Sequence, residues 1–510
     1  MAGEESGRVY NQSDTPASAR SSDLPQSTRT VRGEGAPPPL SRPTKLAFGI
    51  GAIAPGVTAA AFDFFLLIFY SQVVGLDARL VGLALMISLL CDAISDPIVG
   101  YWSDNLRSRW GRRHPFLYGS AIPLAASFYF LWTPPEHATQ TALFWYLLSL
   151  SVIVRTAITF YRTPASALVP ELTPAYHERT SLYSLRYFLA WVGGNAVSVW
   201  TFAVLFPMFV TTTIADGRFN RDAYPIYGLV GALAILLSIL VSAVGTHARI
   251  LYLKSAPPKR QLTIGTIFRE LIETLSNRSF VSLFIAAMLA AIAGGLAAGL
   301  ALYFLTYFWA FDERQTAAIF IGTFLAAGIG LVLAPRVSRS LGKKRGAIIV
   351  GLVAFVGAPM PIILRLVDML PPNGTPFIFW FVTIANIIDV GLIICFQILF
   401  ASMLADLVED SELQTGRRSE GVFIAAETFI DKAVRGIGVI AATTILTVAG
   451  LSPGAKPEDV SADAIWRMGA YYVPIVLSLW IAMIVAIATY RIDKTTHEEN
   501  LRKLAASDSG

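Results

Sequence analysis

Apolar residues along this chain fall into twelve long runs that are separated by short polar stretches. An α-helix needs about 20 apolar residues to cross the hydrocarbon core of a bilayer, and each run reaches that length. The pattern therefore predicts an all-α membrane protein with twelve transmembrane helices. The predicted helices are residues 46–73, 79–101, 115–133, 141–168, 181–208, 225–252, 279–309, 314–336, 346–368, 375–404, 420–450 and 466–490.

The composition supports a membrane protein and argues against other classes. The 510 residues are 54% apolar and only 15% charged, which is too apolar for a soluble protein of this size. The net charge of +5 is modest and collects in short loops, so we expect no nucleic acid partner. Both cysteines lie in apolar runs, and no phosphate-binding loop, HExxH motif or nucleophile elbow is found, so neither an enzyme nor a cofactor is expected.

The polar stretches predict the domain organisation. A tail rich in Ser, Pro and Gly should be disordered, and a long loop divides the helices into two sets of six. Basic residues gather in loops on one side of the predicted membrane, which places both termini in the cytoplasm. The predicted parts are a cytoplasmic tail (1–44), a first six-helix bundle (45–253), a central cytoplasmic loop (254–278), a second six-helix bundle (279–490) and a cytoplasmic tail (491–510).

Two acidic residues stand near the end of the second apolar run. Asp92 and Asp96 are four residues apart, so a helix places both carboxylates on one face, one turn apart. Buried acids in membrane helices mark ion or proton paths, and hard monovalent cations prefer oxygen ligands. Without a metal the two carboxylates repel, so one of them should hold a proton. The alternative is structural, with Asp96 capping a kink before Pro97.

Short motifs identify a family. The segment RWGRRHPF after the second run is echoed by SLGKKRG after the eighth, and this repeat in a chain of two six-helix sets resembles the major facilitator superfamily. Within it the chain is similar to the glycoside, pentoside and hexuronide cation symporters typified by melibiose permease. The motifs are FYSQVVGL, DAISDPIVGYWSDNLRSRWGRRHPF, TPASALVPELT, SLRYFLAWVGG and MLADLVEDSELQTGRRSEGVF.

The resemblance implies symport of a sugar or glycoside with H⁺ or Na⁺ through a cavity that opens alternately to each side. It implies a plasma or bacterial inner membrane and a protein that works as a monomer in the lipid bilayer. Asp92 and Asp96 match the family's cation pair, with Na⁺ as their metal if coupling is to sodium. Thr159 matches a hydroxyl near the cation, unless it bonds back to its own helix.

The resemblance also implies which residues face the solute. Arg186 matches the family arginine that faces the substrate, with a gating salt bridge as the alternative. Lys432 matches a membrane lysine, and Trp191 offers a flat surface to a sugar ring. Gln397 is a weaker candidate that shares a helix face with Asp389.

The chain departs from the family pattern at several positions. Arg162 stands where the typical pattern has an aspartate. A positive charge there could pair with Asp92 and Asp96 and displace Na⁺, which favours either H⁺ coupling or relocation of that acid. Asp63, in the first run, is the candidate partner, and a purely structural Asp63–Arg162 pair is the alternative. The galactoside site is largely absent, because Gly56, Ser166 and Phe396 replace its aspartate and tryptophans.

Charged residues at the predicted cytoplasmic helix ends are candidates for a gate that clamps the two halves together. They are Asp104, Arg112, Arg113, Asp406 and Arg417. Solvated loop charge that only fixes the orientation is the alternative.

The sequence therefore predicts a cation-coupled symporter for a sugar, glycoside or related polar solute. Two alternatives stay open: a cation-coupled carrier of a lysolipid or amphipathic anion, and a membrane sensor that transports nothing.

Overall fold

The computed structural model describes residues 39–173, 175–252, 278–415 and 420–490, and these residues form helices and loops without a strand. Six helices make up the first half: α1 (Arg42–Val73), α2 (Ala78–Asn105), α3 (His114–Leu131), α4 (Gln140–Leu172), α5 (Glu178–Met208) and α6 (Ala223–Leu251). Six make up the second: α7 (Phe280–Phe308), α8 (Glu313–Leu341), α9 (Lys343–Leu366), α10 (Pro376–Thr415), α11 (Glu420–Ala449) and α12 (Ala462–Ala488).

Each of the twelve predicted segments coincides with one of these helices, so the predicted helical membrane fold is confirmed. Within the described residues, eleven helices are long and apolar enough to cross a membrane. The twelfth, α3, has only 18 residues and contains Pro115 and Pro123. It packs between α4 and α6, which fixes its place in the first half. The predicted central loop lies almost wholly outside the described residues, so that boundary stays a prediction.

Helix α1 begins at Arg42, inside the predicted tail, because the sequence around it caps a helix. The Ser41 hydroxyl accepts the Thr44 N–H at 3.3 Å, and Pro43 stands in the first turn, where its missing N–H costs nothing. Farther along, α1 widens into π-helical turns at Ala61–Phe65 and Phe69–Val73. Such turns often accompany functional sites, and the first one carries Asp63.

The two halves pack against each other through related pairs of helices. Helix α2 packs on α11, and α5 packs on α8. The contact of α2 with α11 needs glycine, because a Cβ on Gly82 would lie 2.5 Å from Thr443 Oγ1 and one on Gly436 would lie 2.7 Å from Met86 Cγ. These close approaches bring the two halves together along the first third of α2.

The same turn closes the first helix of each half. After α1, Leu76 N donates to Tyr70 O at 2.8 Å, and after α7, Phe311 N donates to Leu305 O at 2.9 Å. An aspartate then caps the next helix in each half, namely Asp77 for α2 and Asp312 for α8. The internal repeat therefore extends beyond the basic loops to the helix connections at the opposite end of the bundle.

One position of this repeated turn needs a left-handed backbone. Gly75 has φ +85° in the first half, and Ala310 takes the corresponding place with φ +52°. A left-handed conformation costs an L-residue roughly 1–2 kcal/mol, because its Cβ approaches a carbonyl oxygen.

We expect Gly75→Ala to lower the stability of the protein by about 1 kcal/mol, although nothing lies within 4 Å of its added Cβ. The measurement is the apparent melting temperature in detergent. Gly119→Ala is the matched control, since it also meets no atom within 4 Å but lies inside α3. Equal melting temperatures for the two variants would contradict a backbone origin of the effect.

Candidate functional site

Asp92 and Asp96 lie one turn apart on α2, and the hydroxyl of Thr159 on α4 reaches both. Thr159 Oγ1 is 2.8 Å from Asp92 Oδ1 and 3.0 Å from Asp96 Oδ1. Asp92 is only 3% exposed, so its charge depends on protein partners rather than water. The structure thus brings together the three residues for which cation binding was predicted.

The strongest partner of this carboxylate pair comes from the other half of the protein. Lys432 Nζ, on α11, lies 2.8 Å from Asp92 Oδ2 and 2.5 Å from Asp96 Oδ2. The lysine is 6% exposed, so its ammonium and the Asp92 carboxylate are buried together, whereas the Asp96 side chain is 19% exposed. Breaking such a group by removing one partner leaves an uncompensated charge, which makes the contact a strong constraint between α2 and α11.

Arg162 does not pair with Asp63, which corrects the pairing considered from the sequence. Arg162 Nη2 instead lies 3.1 Å from Asp96 Oδ2. Asp63 faces the second half, where its Oδ1 is 3.8 Å from Arg435 Nη1, and Arg435 also lies 3.5 Å from Asp431. The π-helical turn in α1 therefore carries an acid toward α11 rather than toward α4.

Arg155 belongs to the same cluster and was missed by the sequence analysis. Its Nη1 is 3.7 Å from Asp92 Oδ2, its Nε donates to Ser88 Oγ at 3.0 Å, and its guanidinium lies 4.3 Å from the centre of the Phe62 ring. A signal was present, because Arg155 and Arg162 are seven residues apart and so lie on one face of α4.

Arg186 on α5 is a buried cation with spare hydrogen-bonding capacity. It is 9% exposed, and its Nη1 is buried without a hydrogen-bond partner in the described structure. The guanidinium lies 5.1 Å from the centre of the Phe48 ring. A buried N–H group of this kind suits an acceptor oxygen supplied by a ligand.

Trp191 and Gln397 lie apart from the carboxylate pair. The Trp191 ring packs edge-on against Phe324 of α8, with ring centres 4.8 Å apart, so it joins the two halves. Gln397 is exposed on α10. Their predicted contact with a solute therefore stays a prediction.

The ion pairs of this cluster join equal numbers of described cations and carboxylates. They are Arg155, Arg162, Lys432 and Arg435 with Asp63, Asp92, Asp96 and Asp431. Among the described residues no group of three or more acidic, His or Cys side chains forms a metal site. The oxygens of Asp92, Asp96 and Thr159 suit Na⁺ chemically, but Lys432 already contacts both carboxylates.

The predicted gate residues contact partners within their own half. Arg112 and Arg113 both bind Glu171, Arg113 also pairs with Asp104, and Asp406 pairs with Lys343 at 2.6 Å. These contacts lie at the end of the bundle where α1 begins, which we call the near end. Arg417 lies outside the described residues. The clamp between halves that these residues were predicted to form stays a prediction.

The opposite end, where α1 finishes, holds polar contacts between the halves. From the loop between α5 and α6, Arg218 donates to Thr306 Oγ1 at 2.9 Å and to Phe311 O at 2.7 Å, while Gly217 N donates to Glu313 Oε1 at 2.8 Å. Gly454 N also donates to Ser71 O at 2.9 Å. We call these contacts the far-end latch, and they close the bundle at this end.

Two bundles of six helices with a charged cluster between them define a secondary transporter of the major facilitator type. The family model "MFS/sugar transport protein" matches residues 47–494, so the chain belongs to this family. The predicted membership among the glycoside, pentoside and hexuronide cation symporters is thereby confirmed.

Relatives of known sequence cover nearly the whole chain. An uncharacterised symporter of Synechocystis sp. is 26% identical over 91% of this chain and 96% of its own. The isoprimeverose transporter of Lactiplantibacillus pentosus is 24% identical, covering 88% of each chain. The sodium-dependent lysophosphatidylcholine symporter 1 of Gallus gallus is 25% identical over 94% of this chain and 92% of its own. The crystal structure of a nucleoside transporter shares the fold, with a TM-score of 0.58 and 14% identity over 87% of this chain and 99% of that one.

We expect Lys432→Met to destabilise the protein by about 3–5 kcal/mol, because Asp92 and Asp96 lose their shared buried partner. The measurement is thermal unfolding in detergent. Lys343→Met is the matched control, since it breaks the pair with Asp406 but its side chain is 31% exposed. An equal loss of stability in both variants would show that burial of the Lys432 contact does not increase its contribution to the stability of the protein.

We expect Arg218→Ala to open the far end, because the latch loses its bonds to Thr306 and Phe311. A loss of ~1.5–3 kcal/mol raises the open population about tenfold or more. The readout is the rate at which Ser71→Cys reacts with an impermeant thiol reagent, with Cys91 and Cys395 replaced by serine.

The control for this experiment is Arg221→Ala, from the same loop. Arg221 bonds only within the first half, to Pro134 O at 2.6 Å, among its described contacts. An equal rate increase in both variants would mean that the loop as a whole, rather than the contact between halves, protects Ser71.

Proposed function

We propose that the protein is a cation-coupled symporter of a sugar, a glycoside or a related polar organic solute that works by alternating access. The observation that carries this proposal is the buried contact of Lys432, from the second half, with Asp92 and Asp96 of the first. Membership in the sugar-transport family and similarity to proteins named as symporters support it.

The coupling follows from competition for the same oxygen atoms. A cation that binds Asp92 and Asp96 meets the Lys432 ammonium as a like charge, so it weakens the contact between α2 and α11. Protonation of a carboxylate has the same effect, because the neutral form holds the lysine less tightly. Ion occupancy and the relative movement of the two halves are therefore linked, and solute and ion should raise each other's affinity by the same factor.

An unpartnered N–H group favours a solute with acceptor oxygens. Nη1 of Arg186 is buried without a hydrogen-bond partner in the described structure. Sugar hydroxyls and carboxylates both supply such acceptors. The similarity to the isoprimeverose transporter supports the carbohydrate class.

A second candidate is a carrier of a lysolipid or another amphipathic anion. The planar guanidinium of Arg186, with its unpartnered Nη1, suits a phosphate or carboxylate headgroup, and the similarity to the avian sodium-dependent lysophosphatidylcholine symporter covers nearly the whole chain. A sensor that transports nothing differs from both, since it would bind ligand without flux.

The proposed orientation puts the near end and both termini in the cytoplasm of a plasma or bacterial inner membrane. Basic residues of the loop Arg107–Arg113 lie at the near end and support it. The far-end latch then closes the outer side, so the site communicates with the cytoplasm. We propose that the monomer is the working unit and that H⁺ or Na⁺ is the coupling ion.

The test uses the purified full-length protein in vesicles that enclose a pH-sensitive dye. Monosaccharides, disaccharides, glycosides and uronic acids are added singly, with and without Na⁺, and radiolabelled uptake is followed in parallel. We expect one solute class to drive uptake together with H⁺ or Na⁺ entry. Asp92→Asn should abolish coupled uptake, because it weakens the site shared by the ion and Lys432.

If lysolipids are taken up and no sugar gives a response, the sugar hypothesis is wrong and the protein is a lysolipid carrier. Saturable binding of a sugar without flux would favour a sensor and overturn transport.

A further inference from the structure

The middle of α10 carries polar atoms that the charged cluster does not use. Thr383, Asn386 and Asp389 follow one another at intervals of three residues. Thr383 Oγ1, Asn386 Oδ1 and Asp389 Oδ1 are each buried without a hydrogen-bond partner in the described structure. Buried oxygens of this kind are costly in a membrane protein and therefore call for a ligand or a proton.

Asp389 differs from every other acid described in the interior of the helices. Asp92 and Asp96 contact Lys432, Asp63 and Asp431 contact Arg435, and Asp406 contacts Lys343, all within 4 Å. Among the described residues Asp389 has no ion pair and no hydrogen bond through Oδ1. An isolated carboxylate in the bilayer interior costs several kcal/mol, and a bound proton removes that cost.

The surroundings of Asp389 hold little that could stabilise its charge. Helix α10 packs mainly on α8 and α9, whose ionisable side chains lie near their ends, in Glu313, Arg314, Arg336, Arg339, Lys343, Lys344, Arg345 and Arg365. From α7 the ionisable groups are Tyr303 and Tyr307, whose rings stack on each other. From α12 the group that interacts with Asp389 is Tyr472, a neutral phenol rather than a cation.

We propose that Asp389 is a proton-binding site in the second half, separate from the Asp92–Asp96 pair, and that its carboxyl is neutral in the conformation with the far end closed. Asn386, one turn before it, supplies a second polar atom beside the proton. Gln397 lies eight residues further along α10, about 12 Å toward the near end, and is exposed.

This site gives H⁺ a second place to bind, in addition to the Asp92–Asp96 pair. Asp92 and Asp96 are compensated by Lys432, Arg155 and Arg162, so they need no ion for charge balance, whereas Asp389 does. The role of Asp389 as a coupling site rests on the proposed symport. The protonation of Asp389 does not depend on symport. The two claims can therefore fail separately.

The first test needs no solute. The infrared spectrum of the full-length protein in lipid nanodiscs is recorded at neutral pH, where a protonated carboxyl gives a carbonyl band that a carboxylate lacks. We expect Asp389→Asn to remove one such band. Asp431→Asn is the matched control and should leave that band in place, because Asp431 is paired with Arg435. Asp389→Glu, which retains the group, should shift the band and serves if Asp389→Asn fails to fold.

An unchanged carboxyl band in Asp389→Asn together with no shift in Asp389→Glu would overturn the proposal. Loss of the wild-type band on addition of Na⁺ at constant pH would also overturn it, in favour of a sodium site. A second measurement is made once a solute is known: Asp389→Asn should retain exchange of labelled for unlabelled solute while losing uptake driven by a pH gradient. Retained pH-driven uptake would remove Asp389 from the coupling step.

Discussion

The buried contact between Lys432 and the two carboxylates of α2 is the constraint on which the arrangement of the two halves depends. One ammonium satisfies two acids from the other half, at 2.8 and 2.5 Å. Gly436, one turn after Lys432, lets α11 approach α2 closely beside this contact. Because each partner is costly to bury alone, the halves cannot separate here until another positive charge or a proton takes the place of the lysine.

Further ion pairs between neighbouring helices surround that contact. On α4, Arg162 pairs with Asp96 and Arg155 pairs with Asp92. On α11, Arg435 pairs with Asp63, which lies on the π-helical turn of α1. Polar contacts between the halves at the far end complete the closure, whereas the described ion pairs at the near end stay within one half. The molecule is thus held shut from one side by hydrogen bonds and in its middle by ion pairs.

Much of this could be predicted from the sequence. Hydrophobic length gave all twelve helices, and the four-residue spacing of Asp92 and Asp96 placed both acids on one face of α2, as found. The contact of Arg162 with Asp96 was one of the pairings considered. The partner of Asp63 was not predicted, because pairing across helices depends on their relative rotation, which π-helical turns alter. Arg155 was overlooked although its spacing from Arg162 was visible. The isolation of Asp389 became visible only when every neighbouring helix was in place.

The shortness of α3 has a consequence for the surrounding lipid. Its 18 residues extend about 27 Å, whereas the hydrocarbon core of a typical bilayer is about 30 Å thick. Ile122 and Phe130 on this helix are exposed, so part of α3 faces the acyl chains. The neighbouring α4, with 33 residues, is far longer. We therefore expect the bilayer to thin slightly beside α3, and we expect membranes of short-chain lipids to accommodate this flank of the protein with less elastic deformation than thick, sterol-rich ones.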